Sequence, residues 1–386
     1  MYIAGVRCKR FFYALLHYLQ FFGGIMAAQK KKTPVGKIIL FVCEILVLIA
    51  MIGVLWFVLR ATDEETGVDR ITIKEEEIRV EMNKQVQENE VMKGYRNIAL
   101  FGVDSRGGQL KTGTRSDSIM IASINLDTKD VKLVSVYRDT YLNTMGANQK
   151  YDKCNSAYSY GGAERAIKML NSNLDMDITD FITIGFEGLR DVVDALGGVY
   201  IEVDDSEIAH LNNYQRMMVE EVAGIDSYVP VVQTGYQLLD GLQATAYCRI
   251  RYTAGSDFKR TERQREVFKA CLDTAKTASP TTLVKICNNV FSEVYTSLDL
   301  TEIIDLLGGI TQYDIVGDDG FPQMNDIKLN PGSGFGPAGD CIMPFGLENS
   351  VSWLHKFLFD EDNYEASAEV KEYNQKIVDF ATPYLQ

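Results

Sequence analysis

The sequence predicts an α/β fold: a mixed central β-sheet sandwiched by helices, behind a single N-terminal transmembrane helix. Three observations predict it. Residues 38–59 form one unbroken apolar run. Beyond residue 95, apolar runs of strand length alternate with segments of helical length. Two of the short runs are separated only by turn-forming residues, as in a hairpin.

The apolar run Ile38–Leu59 holds 22 residues with one charge, Glu44, and one glycine, Gly53. At about 1.5 Å per residue it spans roughly 33 Å as a helix, enough for a hydrocarbon core of about 30 Å. Lys30, Lys31, Lys32 and Lys37 precede it; Asp63, Glu64, Glu65 and Asp69 follow. The positive-inside rule therefore places residues 1–37 in the cytoplasm and everything after residue 60 outside. The run is too long for a signal-peptide core and has no small-residue cleavage site, so an uncleaved single-pass anchor in the cell membrane is expected. Met26–Lys30 reads as the start of a short basic tail, which makes residues 1–25 a candidate start-site artefact. Residues 60–94, charged and without proline, read as an extracellular stalk, mostly helical.

The main folded domain is expected over 95–316. Asn97–Val103 is a buried-strand run. Ser118–Ile124 and Lys132–Tyr137 are strands joined by the turn-rich Leu126–Asp130. Ser156–Leu174 is a helix interrupted at Gly161-Gly162. Phe181–Phe186 is a strand, Glu187–Leu196 a helix closed by Gly197-Gly198, and Val199–Val203 a strand. Residues 236–248 and 261–278 read as helices, with the polar segment Arg249–Arg260 between them. A C-terminal extension, 317–386, is expected to hold a Pro/Gly loop and terminal helices. Gly334, Gly336 and Gly339 match G-x-G-x-x-G formally, but no strand precedes them and Pro337 lies inside, so no dinucleotide site is expected.

Composition excludes several function classes. Residues 1–60 carry +7, so the remainder carries −21 of a net −14. Such a domain repels a nucleic-acid backbone. Three histidines (His17, His210, His355) and seven cysteines without a C-x-x-C pair argue against zinc sites and a Ser-His-Asp triad. Five cysteines lie beyond the span, an odd number that leaves isolated thiols or at most two bridges.

Charged residues gather where apolar strands end. Asp104 follows the first strand, with Arg106 two positions on. Arg115 and Asp117 precede the second, and Arg138 and Asp139 end the third. Hairpin pairing makes Asp117 and Arg138 neighbours, and strand ends of open α/β sheets are where ligands collect. Arg249, Arg251, Arg260, Arg263 and Arg265 then place five arginines in 17 residues, with Asp257 and Gln264 among them. Arginine suits bidentate phosphate capture. A salt-bridged, solvated helix face remains open as the alternative. Carboxylates beside such a cluster fit a Mg²⁺–phosphate site as well as a structural ion-pair network.

The motifs carrying these residues resemble those of the LytR-CpsA-Psr family. The resemblance rests on Gly102-Val103-Asp104-Ser105-Arg106, Arg115-Ser116-Asp117-Ser118, Val136-Tyr137-Arg138-Asp139-Thr140 and Lys153-Cys154-Asn155-Ser156-Ala157-Tyr158. It continues through Leu196-Gly197-Gly198-Val199, Leu239-Asp240-Gly241, Tyr247-Cys248-Arg249-Ile250-Arg251 and Asp257-Phe258-Lys259-Arg260-Thr261-Glu262-Arg263-Gln264. Cys154 replaces the family's usual aliphatic residue and Lys259 its common glycine. The ordered set spans residues 97–275. The resemblance implies an LCP-type phosphotransferase. Such an enzyme moves a glycopolymer (teichoic acid or capsular polysaccharide) from an undecaprenyl-pyrophosphate carrier to peptidoglycan, as a phosphodiester. It implies Asp104 and Asp117 on Mg²⁺, and Arg138, Lys153, Arg249, Arg251, Arg260 and Gln264 on the pyrophosphate. Arg115, Arg263 and Arg106 are further candidates. Asp257 orients an arginine or joins the metal shell, and Asp139 or a metal-bound hydroxide takes the acceptor proton. The partners implied are the lipid-linked donor, peptidoglycan and the bilayer, with no nucleic acid. Ile182, Ile184, Phe186, Val192, Val193, Leu196 and Val199 fit either a lipid pocket or, by preference, an ordinary core. A polyprenyl-pyrophosphate hydrolase and a non-enzymatic lipid-pyrophosphate-binding protein remain as alternatives.

Overall fold

Alternation of side chains along the strands, period two, builds a central sheet with an apolar surface on each side. The computed structural model describes residues 69–70, 78, 82–104, 109–221, 225–251, 253, 256–279, 281–283, 286 and 293–385. The expected anchor at 38–59, the basic tail and Arg106 lie outside these. Among the described residues no helix is long and apolar enough to cross a membrane.

In chain order the elements are β1 (Asp69–Arg70), β2 (Tyr95–Val103), β3 (Ser116–Asn125), β4 (Asp130–Val136), β5 (Tyr141–Asn143), β6 (Tyr151–Lys153), α1 (Ser156–Leu174), β7 (Asp180–Gly185), α2 (Phe186–Leu196), β8 (Val199–Val203) and α3 (Asp205–Glu221). They continue as β9 (Gly235–Leu239), α4 (Gly241–Arg249), α5 (Ser256–Thr277), β10 (Val294–Thr296), α6 (Leu300–Gly308), β11 (Asp314–Phe321), α7 (Leu347–Phe359) and α8 (Ala368–Ala381). Seven strands form the sheet in the order β1-β10-β7-β2-β3-β4-β11. β2, β3 and β4 are antiparallel neighbours, whereas β7 runs parallel to β2 and β11 parallel to β4. The sheet is therefore mixed, as expected.

Ala99, Phe101, Val103, Ile119, Ile121, Val134 and Val136 point to one face and pack with α1, α7 and α8. Ile98, Ala122, Ile124, Val131 and Leu133 point to the other, against Phe268 of α5 and Leu306 of α6. A separate ribbon, β8 antiparallel to β9, encloses its own core with Val193, Leu211, Leu242 and Val267.

The hairpin and the helix over 156–174 form as expected, and so does the glycine-closed helix expected from Glu187, which begins one residue earlier at Phe186 because the strand before it ends at Gly185. Gly197 ends α2 in the left-handed region, φ 85°. The Gly161-Gly162 interruption is a true kink. Gly162 adopts φ 66°, and a Cβ there would lie 2.4 Å from the carbonyl oxygen of Lys111, so the loop against it requires glycine.

Four expectations change. Residues 236–248 are not one helix: Gly235–Leu239 is a strand and Gly241–Arg249 a short helix. Asp240 separates them through a capping box with Gln243, each side chain bonded to the other's backbone N–H. The helix expected from 261 begins at Ser256, so Asp257 and Arg260 are helical. The irregular tail expected from 317 begins inside β11, which pairs with β4 from Asp314 to Phe321. At the other end, Met82, Val86 and Met92, placed in the expected stalk, are buried in the main core. There Asn83 donates to the Ser172 carbonyl and the Asp175 carboxylate. Cys154, Cys248, Cys271 and Cys341 are all unpaired thiols.

Candidate functional site

The sheet register assembles a charged cluster at one end of β2, β3 and β4. Val103, the last residue of β2, pairs with Ser116 at the start of β3, which brings Asp104, Arg115 and Asp117 to the same edge. Met120 pairs with Ser135 across the hairpin, and the same register sets Asp117 opposite Arg138. Arg138 Nη1 donates to Asp117 Oδ1 at 2.6 Å. The start of α5 and the segment before it add two more guanidinium groups: Arg260 Nη2 reaches Asp117 Oδ2 at 3.0 Å and Arg251 Nη2 at 3.3 Å.

A second carboxylate faces the same three arginines. Asp257 Oδ1 lies 3.8 Å from Arg138, 3.9 Å from Arg251 and 3.9 Å from Arg260, within ion-pair range but beyond hydrogen bonding. Asp139 closes the group, 3.6 Å from Arg138 Nε and 3.3 Å from Lys153 Nζ. Four cations thus meet three carboxylates. Burial pushes the Asp117 carboxyl up, yet Arg260, Arg138 and Arg251 together outweigh it and hold the group below its ordinary value. For Arg138, burial works downward and is outweighed by Asp117, Asp139 and Asp257. For Arg260, only 2% exposed, burial wins and its pKa is lowered; a guanidinium stays charged regardless.

Several donors in this cluster have no hydrogen-bond partner among the described residues: Arg260 Nε and Nη1, and Arg138 Nε. Asp257 Oδ1 is likewise unpartnered. Buried charged donors left this way are costly unless something else receives them. The cluster is thus built to accept a further anion.

The remaining candidates are held differently. Arg249 lies over the rings of Phe186, 4.7 Å to the centroid, and Tyr214, 5.4 Å. Arg263 is 1% exposed and bonded to Glu207 Oε1 at 2.6 Å, the Ile250 carbonyl and Thr253 Oγ1, so it joins α5 to α3 outside the cluster. Gln264 is buried, donating weakly to the Cys248 carbonyl at 3.5 Å. Arg265 binds Asp318 of β11. Asp104 and Arg115 are exposed at the rim. Glu207 and the two rings were not legible as partners: all come from residues 186–214, and nothing in their spacing points to arginines 35 or more positions away.

Beside the cluster, on the face of the sheet that packs against α5 and α6, Leu100, Ile182 and Ile184 are only half-buried. Val193 and Val199, by contrast, are fully buried in the ribbon core, whereas Phe186, Val192 and Leu196 are half-buried.

An α/β domain with an anion-receptive arginine cluster at its sheet edge is the class these features define. The chain belongs to the LytR-CpsA-Psr family, whose sequence profile matches residues 61–318. It is 31% identical over 198 residues to the polyisoprenyl-teichoic acid–peptidoglycan teichoic acid transferase TagT of Bacillus subtilis (strain 168), covering 51% of this chain and 58% of that protein. It is 34% identical over 192 residues to the transferase of the same description, TagU, from Enterococcus faecalis (strain ATCC 700802 / V583), covering 49% and 57%. The chain thus spans somewhat over half the length of these curated relatives. The crystal structure of B. subtilis TagT superposes with a TM-score of 0.52 at 26% identity, over 70% of this chain and 94% of that one.

Proposed function

We propose that this chain is a membrane-anchored phosphotransferase that moves a glycopolymer from a polyprenyl-pyrophosphate carrier to peptidoglycan on the outer face of the cell membrane. Family membership and the names of the two relatives support the reaction class. The observation that carries it is the set of unpartnered donors on Arg260 and Arg138, gathered round Asp117. A diphosphate supplies the oxygens those donors lack.

In this reading an acceptor hydroxyl oxygen attacks the glycan-side phosphorus. A new O–P bond forms, the bridging P–O bond breaks, polyprenyl monophosphate leaves, and the hydroxyl proton is released. Arg138, Arg251 and Arg260 take up the charge developing on the phosphate oxygens, and Arg249 adds a fourth guanidinium. Lys153 holds Asp139 beside the cluster, where that carboxylate is placed to receive the proton. The half-buried Leu100, Ile182 and Ile184 offer the prenyl chain an apolar surface next to its diphosphate. Asp104 and Asp117, on neighbouring strand ends, carry hard oxygen donors of the kind Mg²⁺ takes, and the ion would share Asp117 with Arg138, Arg251 and Arg260. When bound it neutralises diphosphate charge.

The test uses the full chain in liposomes with a labelled lipid-linked donor, with and without peptidoglycan oligomers. Transfer to the oligomers, lost about 100-fold or more in Arg260→Ala and reduced by chelator, is the expected result. Release of free glycan phosphate independent of acceptor overturns the transferase in favour of a hydrolase. Wall-attached polymer unchanged in cells carrying only Arg260→Ala points to a non-enzymatic binding protein.

A further inference from the structure

Two helix termini and the middle of a third helix meet at Arg249. It is the last residue of α4, Phe186 is the first residue of α2, and Tyr214 lies in α3. Arg138, Arg251 and Arg260 all lean on Asp117, but Arg249 pairs with no carboxylate of the described residues and is held by rings instead. Both ring centroids lie within the roughly 6 Å over which a guanidinium is attracted to an aromatic face.

The two modes of holding leave different atoms available. A carboxylate consumes the in-plane N–H groups of a guanidinium; a ring occupies its face and leaves those donors at the edge. We propose that Phe186 and Tyr214 are positioning residues that hold Arg249 through their rings rather than through a carboxylate, and so reserve its N–H donors for the donor diphosphate. The inference rests on the transfer reading above. The surrounding structure supports a fixed aim. Phe186 directly follows Gly185, which pairs with Val103, the residue before Asp104. Tyr214 is 9% exposed within the ribbon core. α4 is pinned at its start by the Asp240–Gln243 capping box, and its C-terminal end favours a cation. No ion pair has to break before Arg249 meets a phosphate, so its donors are available without displacing a carboxylate.

The experiment measures binding of farnesyl diphosphate to the full chain in detergent micelles by calorimetry, with Mg²⁺ present. Tyr214→Leu and Phe186→Leu are each expected to weaken binding about tenfold, whereas Tyr214→Phe and Phe186→Tyr, which keep the ring, stay within about twofold of wild type. In an Arg249→Ala background, itself weakened, Tyr214→Leu adds no further loss; this non-additivity separates positioning from general damage to the fold. If Arg249→Ala weakens binding while the leucine variants do not, the ring clamp is overturned and the transfer reading survives. Leucine-variant losses that persist undiminished without Arg249 also overturn it. A wild-type chain that binds no diphosphate sinks both.

Discussion

Replacing Asp117 with asparagine removes the carboxylate that three guanidinium groups share. Its side chain is 16% exposed and that of Arg260 2%, so solvent screens the pairs only in part. The change leaves four cations facing two carboxylates, and Arg260 loses its shortest ion pair, 3.0 Å, keeping only Asp257 at 3.9 Å. Removing one partner of a buried ion pair costs about 3–5 kcal/mol; the partial exposure of Asp117 and the proximity of Asp257 place the expected loss near the low end, about 3 kcal/mol at pH 7. The sign of the pH dependence follows from the lowered pKa of Asp117. A carboxyl depressed in the folded state contributes its full stabilisation above the ordinary value of 3.8 and loses it as pH falls through the lower folded value. The gap between wild type and Asp117→Asn is therefore constant from pH 7 to about pH 5 and narrows on further acidification. Urea unfolding followed by the fluorescence of Trp353 in α7 measures it. A gap below about 1 kcal/mol at pH 7, or one that widens as pH falls, refutes the view of Asp117 as the keystone of the cluster.

Arg263→Ala is expected to destabilise by about 3–5 kcal/mol, because Glu207 is left buried and charged. The double variant Arg263→Met/Glu207→Leu recovers most of that loss in the same unfolding assay, which a ligand-binding arginine would not do. Gly162→Ala forces a Cβ against the Lys111 carbonyl at a positive φ, and a thermal melt is expected to show a loss of about 2 kcal/mol or more. Asn83→Ala takes the Asn83 donor from Asp175 Oδ1 and from the Ser172 carbonyl in a buried setting, while Asp175 Oδ2 keeps the Ser367 N–H, and costs about 1–3 kcal/mol, read by hydrogen exchange of the segment at 82–94.

The chemistry was legible where it sits on short-range pattern. Strand ends mark Asp104, Asp117 and Arg138, and hairpin pairing alone places the last two in contact. The D-G-L-Q run at 240–243 is a capping signal that separates β9 from α4, yet the apolar residues across 236–248 read as a continuous helix because a five-residue strand on a two-stranded ribbon carries too little alternation to declare itself. Arg260 and Arg263, three positions apart on one helix, look equivalent along the chain and have different fates: one meets Asp117, the other Glu207.

From its order of residues alone this chain determined the mixed α/β sheet, the hairpin that pairs Asp117 with Arg138 and the concentration of arginines between 249 and 265, because each depends on contacts between near neighbours or on composition. Only the tertiary structure decided which arginines converge on Asp117, that Arg249 is held by Phe186 and Tyr214, and that residues 82–94 close the core. Those outcomes depend on packing between segments 35 to 284 residues apart, and the partner a charged side chain finds at such separations is set by where whole elements dock.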